Sequence, residues 1–328
     1  MAHRTLFLDV EETDRPLVRE HFSDAVFAEA SLRDEKLIEA CKDATIVSCF
    51  ITTPFPRSVI QKLPKLKLLC TRSVGYDHID IDACREKDIT VCNVPDYGSH
   101  VIAEHVFALL LSTLRHIRAG EDRVESGTFD YHGLRGIALK GKTIGILGTG
   151  KIGRKVAKIA HGYEMRILAT DQCRTVELET ELGVQYVSFD ELLQQSDILT
   201  LHVPGMKETE HLLNAKAFQR MKDGVVLVNT ARGSLIDSAA LLKALDSGKV
   251  AYALLDVLEH EQNFKENETL IKHPNVVTTP HVAFYADDSM RNMYLDAILS
   301  IEQWIAGKEP AHVVHPLQIV CDLPGVKK

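Results

Sequence analysis

The segment Lys142–Gly153, KTIGILGTGKIG, decides the fold of this chain. Its first half, Lys142–Leu147, is a short, β-branched, apolar run of the kind that forms a buried parallel strand. A turn with Gly148, Gly150 and Gly153 follows, and the next residues have helical spacing. In such a strand–turn–helix unit one glycine makes the tight turn, another lets a pyrophosphate approach the backbone, and another lets helix and strand pack closely. The free N–H groups at the helix start favour bound phosphate.

An acidic residue further on strengthens this dinucleotide interpretation. The next strand, Met165–Thr170, leads into Asp171, about 20 residues past the glycine motif. A carboxylate at that place accepts a hydrogen bond from a ribose 2′-hydroxyl. Arg174 nearby could tolerate a 2′-phosphate, but Asp171 should repel one, so we predict NAD over NADP. A glycine loop that only turns a corner is the alternative reading of the motif.

Composition limits the class of protein. A length of 328 residues suggests two domains, and 45% hydrophobic with 26% charged residues is ordinary for a globular protein. A net charge of −8 without any basic run argues against a nucleic-acid partner. The most apolar helical run, Val101–Leu111, is too short for a membrane span. Seven scattered cysteines and a start without a signal-peptide pattern predict reduced thiols and a cytoplasmic location.

Strand-like and helix-like segments alternate along most of the chain. Residues 5–99 contain five strand-like runs with helical stretches between them, which predicts a parallel α/β domain. Ser99 begins a long apolar helix to about Arg118, which is expected to be a core helix or to lie between domains or subunits. From Lys142 six further strands and a weak VQYV predict a second doubly wound sheet. An amphipathic helix, Asp287–Gly307, precedes a short tail that we expect to lean on the first domain.

Three polar residues follow strands of the predicted second sheet. Arg232 follows GVVLVNTA, Glu261 follows YALLDVLEH, and His281 follows NVVTTP. Because the carboxyl ends of parallel strands meet at one edge, we expect these residues to gather beside the phosphate site.

This set suits hydride transfer at a carbonyl, which leaves negative charge on oxygen and requires a proton. Histidine supplies a proton readily, because its ordinary pKa of about 6.5 lies near working pH. A neighbouring carboxylate orients the ring, and the planar fork of arginine holds a substrate carboxylate. We therefore predict His281 as acid/base, Glu261 as its partner and Arg232 as substrate clamp.

Other chemistries have weaker support in the sequence. The sequence has no GxSxG elbow, which would indicate a serine hydrolase, and it has no HExxH motif, which would indicate a metalloenzyme. The segment Glu259–Glu261 and the pair His312 and His315 are poor in metal ligands, so we predict no metal. A lone His281 among 15 histidines would be weak evidence on its own.

Several motifs together resemble the D-isomer-specific 2-hydroxyacid dehydrogenase family. They are GILGTGKIG with Asp171, LHVP, NTARGSLID, LDVLEHE and TPHVAFY. In that family the arginine, the last glutamate and the histidine of the final three motifs are catalytic, which again points to Arg232, Glu261 and His281. The resemblance implies an α/β fold with two doubly wound parallel sheets, in which a Rossmann NAD-binding domain (100–286) is inserted into a flavodoxin-like substrate domain (1–99 and 287–328).

The resemblance also implies binding residues and a homodimer that uses the long helix after Ser99. The cofactor contacts would be the three glycines with the following positions: Lys151, Ile152, Asp171, His202, Val203, Pro204, Thr230, Ala231, Arg232 and Asp256. The substrate contacts would be Val74, Gly75, Tyr97, Phe50, Phe284, Arg232 and His281, with the carboxylate held by backbone N–H groups of the Ser73–Gly75 loop.

Within the family, TRSVGYDHID and HVAFYADDSMRNM look most like the D-lactate dehydrogenase branch, so the expected reaction is pyruvate to D-lactate. Glyoxylate, hydroxypyruvate and branched 2-keto acids remain open as substrates. Gln262 stands where a proline often follows the catalytic glutamate, which is a departure from the family pattern. A different class of function, an NADH-sensing binding protein of the same fold, is the second hypothesis.

Overall fold

Two parallel β-sheets organise the chain in the computed structural model, which describes residues 3–261 and 263–315. These residues divide into two units, one formed by residues 3–98 and 286–315 and the other by residues 99–285. Gln262, Cys321 and the part of the tail after His315 lie outside the described residues.

The twelve strands are short and run parallel to their neighbours. In chain order they are β1 Thr5–Phe7, β2 Val26–Phe27, β3 Ile46–Cys49, β4 Leu68–Thr71, β5 Thr90–Cys92, β6 Thr143–Leu147, β7 Arg166–Thr170, β8 Gln185–Tyr186, β9 Ile198–Leu201, β10 Val225–Asn229, β11 Val250–Leu255 and β12 Val276–Thr278.

The helices connect these strands as crossovers. They are α1 Arg15–His21, α2 Asp34–Cys41, α3 Arg57–Ile60, α4 Ile81–Glu86, α5 Ser99–Leu114, α6 Ile117–Glu125, α7 Lys151–Gly162, α8 Val176–Leu182, α9 Phe189–Gln195, α10 Ala215–Arg220, α11 Ser238–Asp246, α12 Phe264–Ile271 and α13 Asp287–Ile305. One turn of 3₁₀ helix, Gly233–Leu235, follows β10.

The first unit has a five-stranded sheet in the order β2-β1-β3-β4-β5, which is the flavodoxin-like order. Every residue of β3 and β4 is buried, as expected for central strands covered on both faces. The final helix α13 packs against β4 and α1. Beyond it, Val314 N donates a hydrogen bond of 2.8 Å to Val91 O, so the start of the tail lies along β5.

The second unit has a seven-stranded sheet in the order β12-β11-β10-β9-β6-β7-β8. With β6 as the first strand, this is the Rossmann strand order, and β12 is one additional strand at the edge beyond β11. Alternate residues of its strands belong to two apolar clusters, one shared with α5 and α7 and the other with α9, α10 and α11. The predicted fold, two doubly wound parallel sheets with a Rossmann domain, is confirmed, and the weak VQYV segment does contain a strand, β8.

The long helix predicted from Ser99 to about Arg118 is wrong in its extent. Helix α5 ends at Leu114, and His116 adopts a left-handed φ of +53° before α6 begins. The apolar residues of α5 belong to the core of the second unit, where the helix packs against α7. Helices α4, α6, α8 and α12 were not predicted as separate helices from the sequence.

The cysteine prediction holds for the first unit, where Cys41, Cys49, Cys70, Cys84 and Cys92 are buried free thiols. Cys173 of the second unit is disulfide-bonded and departs from that prediction. Among the described residues, no helix combines the length and the apolar character that crossing a membrane requires.

Candidate active site

The turn between β6 and α7 uses its three glycines in three ways. Gly148 has a φ of +95°, and a Cβ there would lie 2.7 Å from His202 O. At Gly153 a Cβ would lie 2.0 Å from Gly148 O, so α7 packs directly on the turn. Gly150 is the N-cap of α7, and a Cβ there would meet nothing within 4 Å. This open backbone at a helix N-terminus fits a pyrophosphate.

Asp171 follows β7, and its carboxylate is turned toward the glycine turn. One carboxylate oxygen accepts hydrogen bonds from the backbone N–H and the hydroxyl of Thr149, and the other accepts from Cys173 N at 2.9 Å. The Thr149 hydroxyl also bonds to Tyr186 Oη at 2.9 Å. Arg174 lies over the Tyr186 ring at 5.9 Å. The carboxylate therefore has a fixed orientation beside the turn.

The loop after β9 carries His202, Val203 and Pro204. Burial of the imidazole lowers the pKa of His202 to about 3, although the residue as a whole is partly exposed. The ring is therefore neutral at neutral pH, and its Nε2 lies 2.9 Å from Thr200 Oγ1. Thr209 Oγ1 donates a hydrogen bond of 2.7 Å to Pro204 O, which closes the loop.

Arg232 lies in the turn after β10, and the buried side chain of Asn229 holds that turn. Asn229 Nδ2 donates to Arg232 O at 2.8 Å, and its Oδ1 accepts from Ala231 N at 3.0 Å. The hydroxyl of Thr230 is buried and has no hydrogen-bond partner in the described part of the chain. A buried hydroxyl of this kind is satisfied by a bound ligand, which fits a cofactor at this turn.

Glu261 and His281 form a hydrogen-bonded pair. Glu261 Oε2 and His281 Nδ1 are 3.1 Å apart, and the two side chains are 37% and 23% exposed. The ring of Phe284 lies edge-on to the imidazole, with 6.3 Å between the centroids. Within residues 3–261 and 263–315, nothing pairs with Nε2 of His281. The imidazole is thus held at one nitrogen and available at the other.

The buried carboxylate of Asp256 anchors the loop that carries His281. Val282 N and Ala283 N each donate to it at 2.9 Å, and the Thr279 hydroxyl donates as well. His281 N donates to Asp256 O at 2.9 Å. These bonds stabilise His281 at a left-handed φ of +54°, a conformation that a non-glycine residue keeps only when its surroundings determine it.

In the first unit, the Ser73–Gly75 loop has all three carbonyl groups engaged. Ser73 O accepts from Val94 N at 3.0 Å, Val74 O accepts from Asn93 Nδ2 at 2.8 Å, and Gly75 O accepts from Ser73 Oγ at 2.6 Å. Among the described residues no acceptor pairs with the N–H of Val74 or of Gly75. The loop therefore presents N–H donors suited to an anion.

The two aromatic candidates of the first unit differ in exposure. Tyr97 is 6% exposed, and Phe50 is half-buried at the end of β3. Phe50 N donates to Asp9 Oδ2 at 3.3 Å.

Several residues that position the site were missed by sequence reasoning. Asn229, Thr279 and Asn93 hold loops, and His105 on α5 lies 3.2 Å from Thr279 Oγ1 and 3.6 Å from Asp256 Oδ1. Asn229 and Thr279 stand inside the quoted motifs, but their partners could not be read from the sequence. In the described part of the chain, no group of three or more potential ligands could hold a metal ion.

Comparisons with known proteins agree with this geometry. Residues 107–283, more than half of the chain, match the family model of the D-isomer specific 2-hydroxyacid dehydrogenase NAD-binding domain. The chain belongs to the D-isomer-specific 2-hydroxyacid dehydrogenase family. Over 327 residues it is 36% identical to glyoxylate reductase of Pyrococcus furiosus, with 96% of each chain covered.

Two further proteins are similar to this chain. Hydroxypyruvate reductase of Blautia hydrogenotrophica is 36% identical over 297 residues, covering 88% of this chain and 91% of the relative. The structure of D-lactate dehydrogenase from Aquifex aeolicus with NAD and lactic acid is similar with a TM-score of 0.84 and 35% identity. The match covers 93% of this chain and 96% of that one. The chain is accordingly an NAD-dependent D-2-hydroxyacid dehydrogenase.

Proposed function

We propose that this dehydrogenase uses NADH to reduce a small 2-keto acid, in the first place pyruvate to D-lactate. The observation that carries the proposal is the 3.1 Å contact between Glu261 Oε2 and His281 Nδ1, with Nε2 of the same ring available to a substrate. Arg232 follows a strand of the same sheet, and its backbone is fixed by Asn229.

The proposed roles follow from the chemistry of these side chains. NADH, when bound, supplies a hydride to the carbonyl carbon. His281 gives a proton from Nε2 to the carbonyl oxygen, while Glu261 orients the ring through Nδ1. The guanidinium of Arg232 holds the keto acid, because its planar fork matches a carboxylate.

Ligand contacts are proposed within each unit by itself. The N–H groups of Val74 and Gly75 would hold the substrate carboxylate, since their loop has its carbonyl groups bonded elsewhere. Phe50, Tyr97 and Phe284 would contact the substrate side chain. Cofactor contacts are proposed at the glycine turn and at the residues that follow: Lys151, Ile152, Asp171, His202, Val203, Pro204, Thr230, Ala231, Arg232 and Asp256. The open backbone of Gly150 and the buried Thr230 hydroxyl support this set.

Glyoxylate or hydroxypyruvate is the second candidate substrate. It is favoured by the two curated relatives, which are named for those reactions. Pyruvate is favoured by the likeness to a D-lactate dehydrogenase structure and by the aromatic residues, which suit a methyl group. Branched 2-keto acids stay open.

A panel of 2-keto acids with NADH and with NADPH tests the proposal, by following loss of reduced cofactor. We expect turnover of pyruvate with NADH, and loss of turnover with retained NADH binding in His281→Asn. Preference for glyoxylate would overturn the lactate part alone. A wild-type chain that binds NADH but reduces no keto acid would favour an NADH-sensing binding protein.

A homodimer is part of the proposal, with helix α5 as one expected contact. In addition, five apolar side chains of the segment that follows α5 are exposed. These are Ile117 58%, Val124 53%, Phe129 96%, Tyr131 79% and Ile137 43%. A cluster of this kind marks an interaction surface, and a second copy of this chain is the proposed occupant.

The cytoplasmic location stays a prediction. The five free thiols of the first unit favour a reducing compartment.

A further inference from the structure

A second glutamate, two residues before Glu261, makes an ion pair of its own. Glu259 Oε1 lies 2.5 Å from His211 Nε2, and its Oε2 accepts a hydrogen bond of 2.8 Å from Ser238 N. The Glu259 side chain is 17% exposed and that of His211 is 44% exposed. Both oxygens of this carboxylate are therefore engaged, each by a different segment of the second unit.

The partners of Glu259 come from segments that border the candidate site. Ser238 is the first residue of α11, so the carboxylate lies at a helix N-terminus, where negative charge is stabilised. His211 belongs to the loop that also carries Val203 and Pro204, and His211 N donates to Ser234 O at 2.8 Å. The pair thus ties the loop after β9 to the segment after β11.

The backbone between Glu259 and Glu261 is held as well. The buried side chain of Asn267 donates from Nδ2 to Glu259 O at 2.6 Å and to His260 O at 3.3 Å. His260 adopts a φ of +50°, which makes a sharp change of direction just before Glu261. The position of Glu261 therefore depends on how firmly Glu259 is held.

The same segment also contacts the Arg232 turn. A Cβ at Gly233 would lie 2.0 Å from the backbone of Leu258, so the two segments pack without space between them. A shift of residues 258–261 would displace both the carboxylate of Glu261 and the turn that carries Arg232.

We propose that Glu259 and His211 form a positioning pair for the reaction, which holds Glu261 against His281 and steadies the Arg232 turn. This inference rests on the proposed function, because it assigns the pair a part in the step performed by Glu261 and His281. The pair acts through those residues.

The charge state of the pair gives it a pH dependence. The hydrogen bond to Glu259 raises the pKa of His211, and Asp237 and Glu210 act in the same direction against burial. Burial alone would raise the pKa of Glu259, but the hydrogen bonds from Ser238 and His211 lower it on balance.

The sign of each effect defines a pH window. The contribution of His211 is complete below its ordinary pKa of 6.5 and is lost as pH rises through its raised folded value. The contribution of Glu259 is complete above 4.5 and is lost as pH falls through its lowered folded value. Both contributions to stability are therefore complete between pH 4.5 and pH 6.5.

Steady-state kinetics of Glu259→Gln and His211→Gln across pH test the proposal. Near pH 6, each variant should lower kcat about tenfold with little change in KM, a smaller loss than the hundredfold expected from a misplacement of about 1 Å. The ratio of wild-type to His211→Gln activity should approach one as pH rises and the pair discharges. The double variant should be no worse than either single variant, and His211→Lys, which keeps a cation, should recover activity.

A matched control is His21→Gln, which removes the 2.8 Å pair between His21 and Glu302 in the first unit and should leave kcat unchanged at every pH. Since His211 is partly exposed, its replacement should leave the fold intact, and circular dichroism checks this. Folded variants with wild-type kcat, or a loss of activity that is the same at all pH values, would overturn the positioning pair. An inactive wild-type chain would instead overturn the proposed function.

Discussion

Arg232 combines a fixed backbone with a side chain suited to a carboxylate. Its carbonyl accepts from Asn229, the adjoining Gly233 packs on Leu258, and the guanidinium itself donates to Ala231 O at 2.8 Å. The first two contacts should hold the turn when the side chain is removed. Arg232→Ala should therefore lower kcat/KM about a hundredfold or more, because a charge-assisted contact to the substrate is lost. NADH affinity, measured by fluorescence titration, should change little.

Arg232→Lys is the matched variant for this prediction. Lysine keeps the charge but lacks the planar fork, so it should recover only a small part of the lost activity. If NADH binding disappeared together with turnover, Arg232 would be a structural residue and the substrate clamp would be wrong.

At the scale of the elements, two glycines of the β6–α7 turn have different roles: Gly148 is required by the backbone, whereas Gly150 leaves space for a ligand. Gly148→Ala should destabilise the fold by at least about 2 kcal/mol, because it combines a left-handed φ with a Cβ 2.7 Å from His202 O. Gly150→Ala should leave the melting temperature nearly unchanged, because a Cβ there meets nothing within 4 Å.

NADH binding should respond differently to these two changes. In folded protein, Gly150→Ala should weaken NADH binding, since the added methyl group would stand where the pyrophosphate approaches the backbone. Thermal melts and NADH titrations of both variants check this. Unchanged NADH affinity in Gly150→Ala would contradict the proposed phosphate site.

For the whole molecule, the exposed apolar cluster after α5 predicts self-association. Light scattering coupled to size exclusion should give the mass of a dimer, and Phe129→Ser with Tyr131→Ser should give a monomer, because 96% and 79% of these side chains are exposed in one chain. Phe264→Ser is the matched control, since Phe264 is an aromatic residue that is 63% exposed on a different element, α12. A monomeric wild-type chain would contradict the homodimer.

Much of the fold was readable because its signals are local. Short apolar runs and helical spacing depend on neighbours in sequence, so the alternation of strands and helices, and hence the parallel sheets, could be predicted. The break at His116 could not, because its left-handed backbone carries no local signal such as a glycine. The roles of Asn93 and Asn229 could not be predicted either. Each side chain holds a loop by donating to a backbone carbonyl, Val74 O or Arg232 O, which only the folded chain brings within 2.8 Å.

The sequence alone was enough to predict a dinucleotide turn after the first strand of the second sheet, and to place Arg232, Glu261 and His281 after later strands of that sheet. The pairing of Glu261 with His281 was also predicted, whereas the partner of Glu259, two residues earlier, is known only from the folded chain. Glu259 lies against His211 and Glu261 lies against His281. The physical reason is that the left-handed backbone at His260 sends two nearby glutamates to different segments, and contacts between distant segments are set by packing.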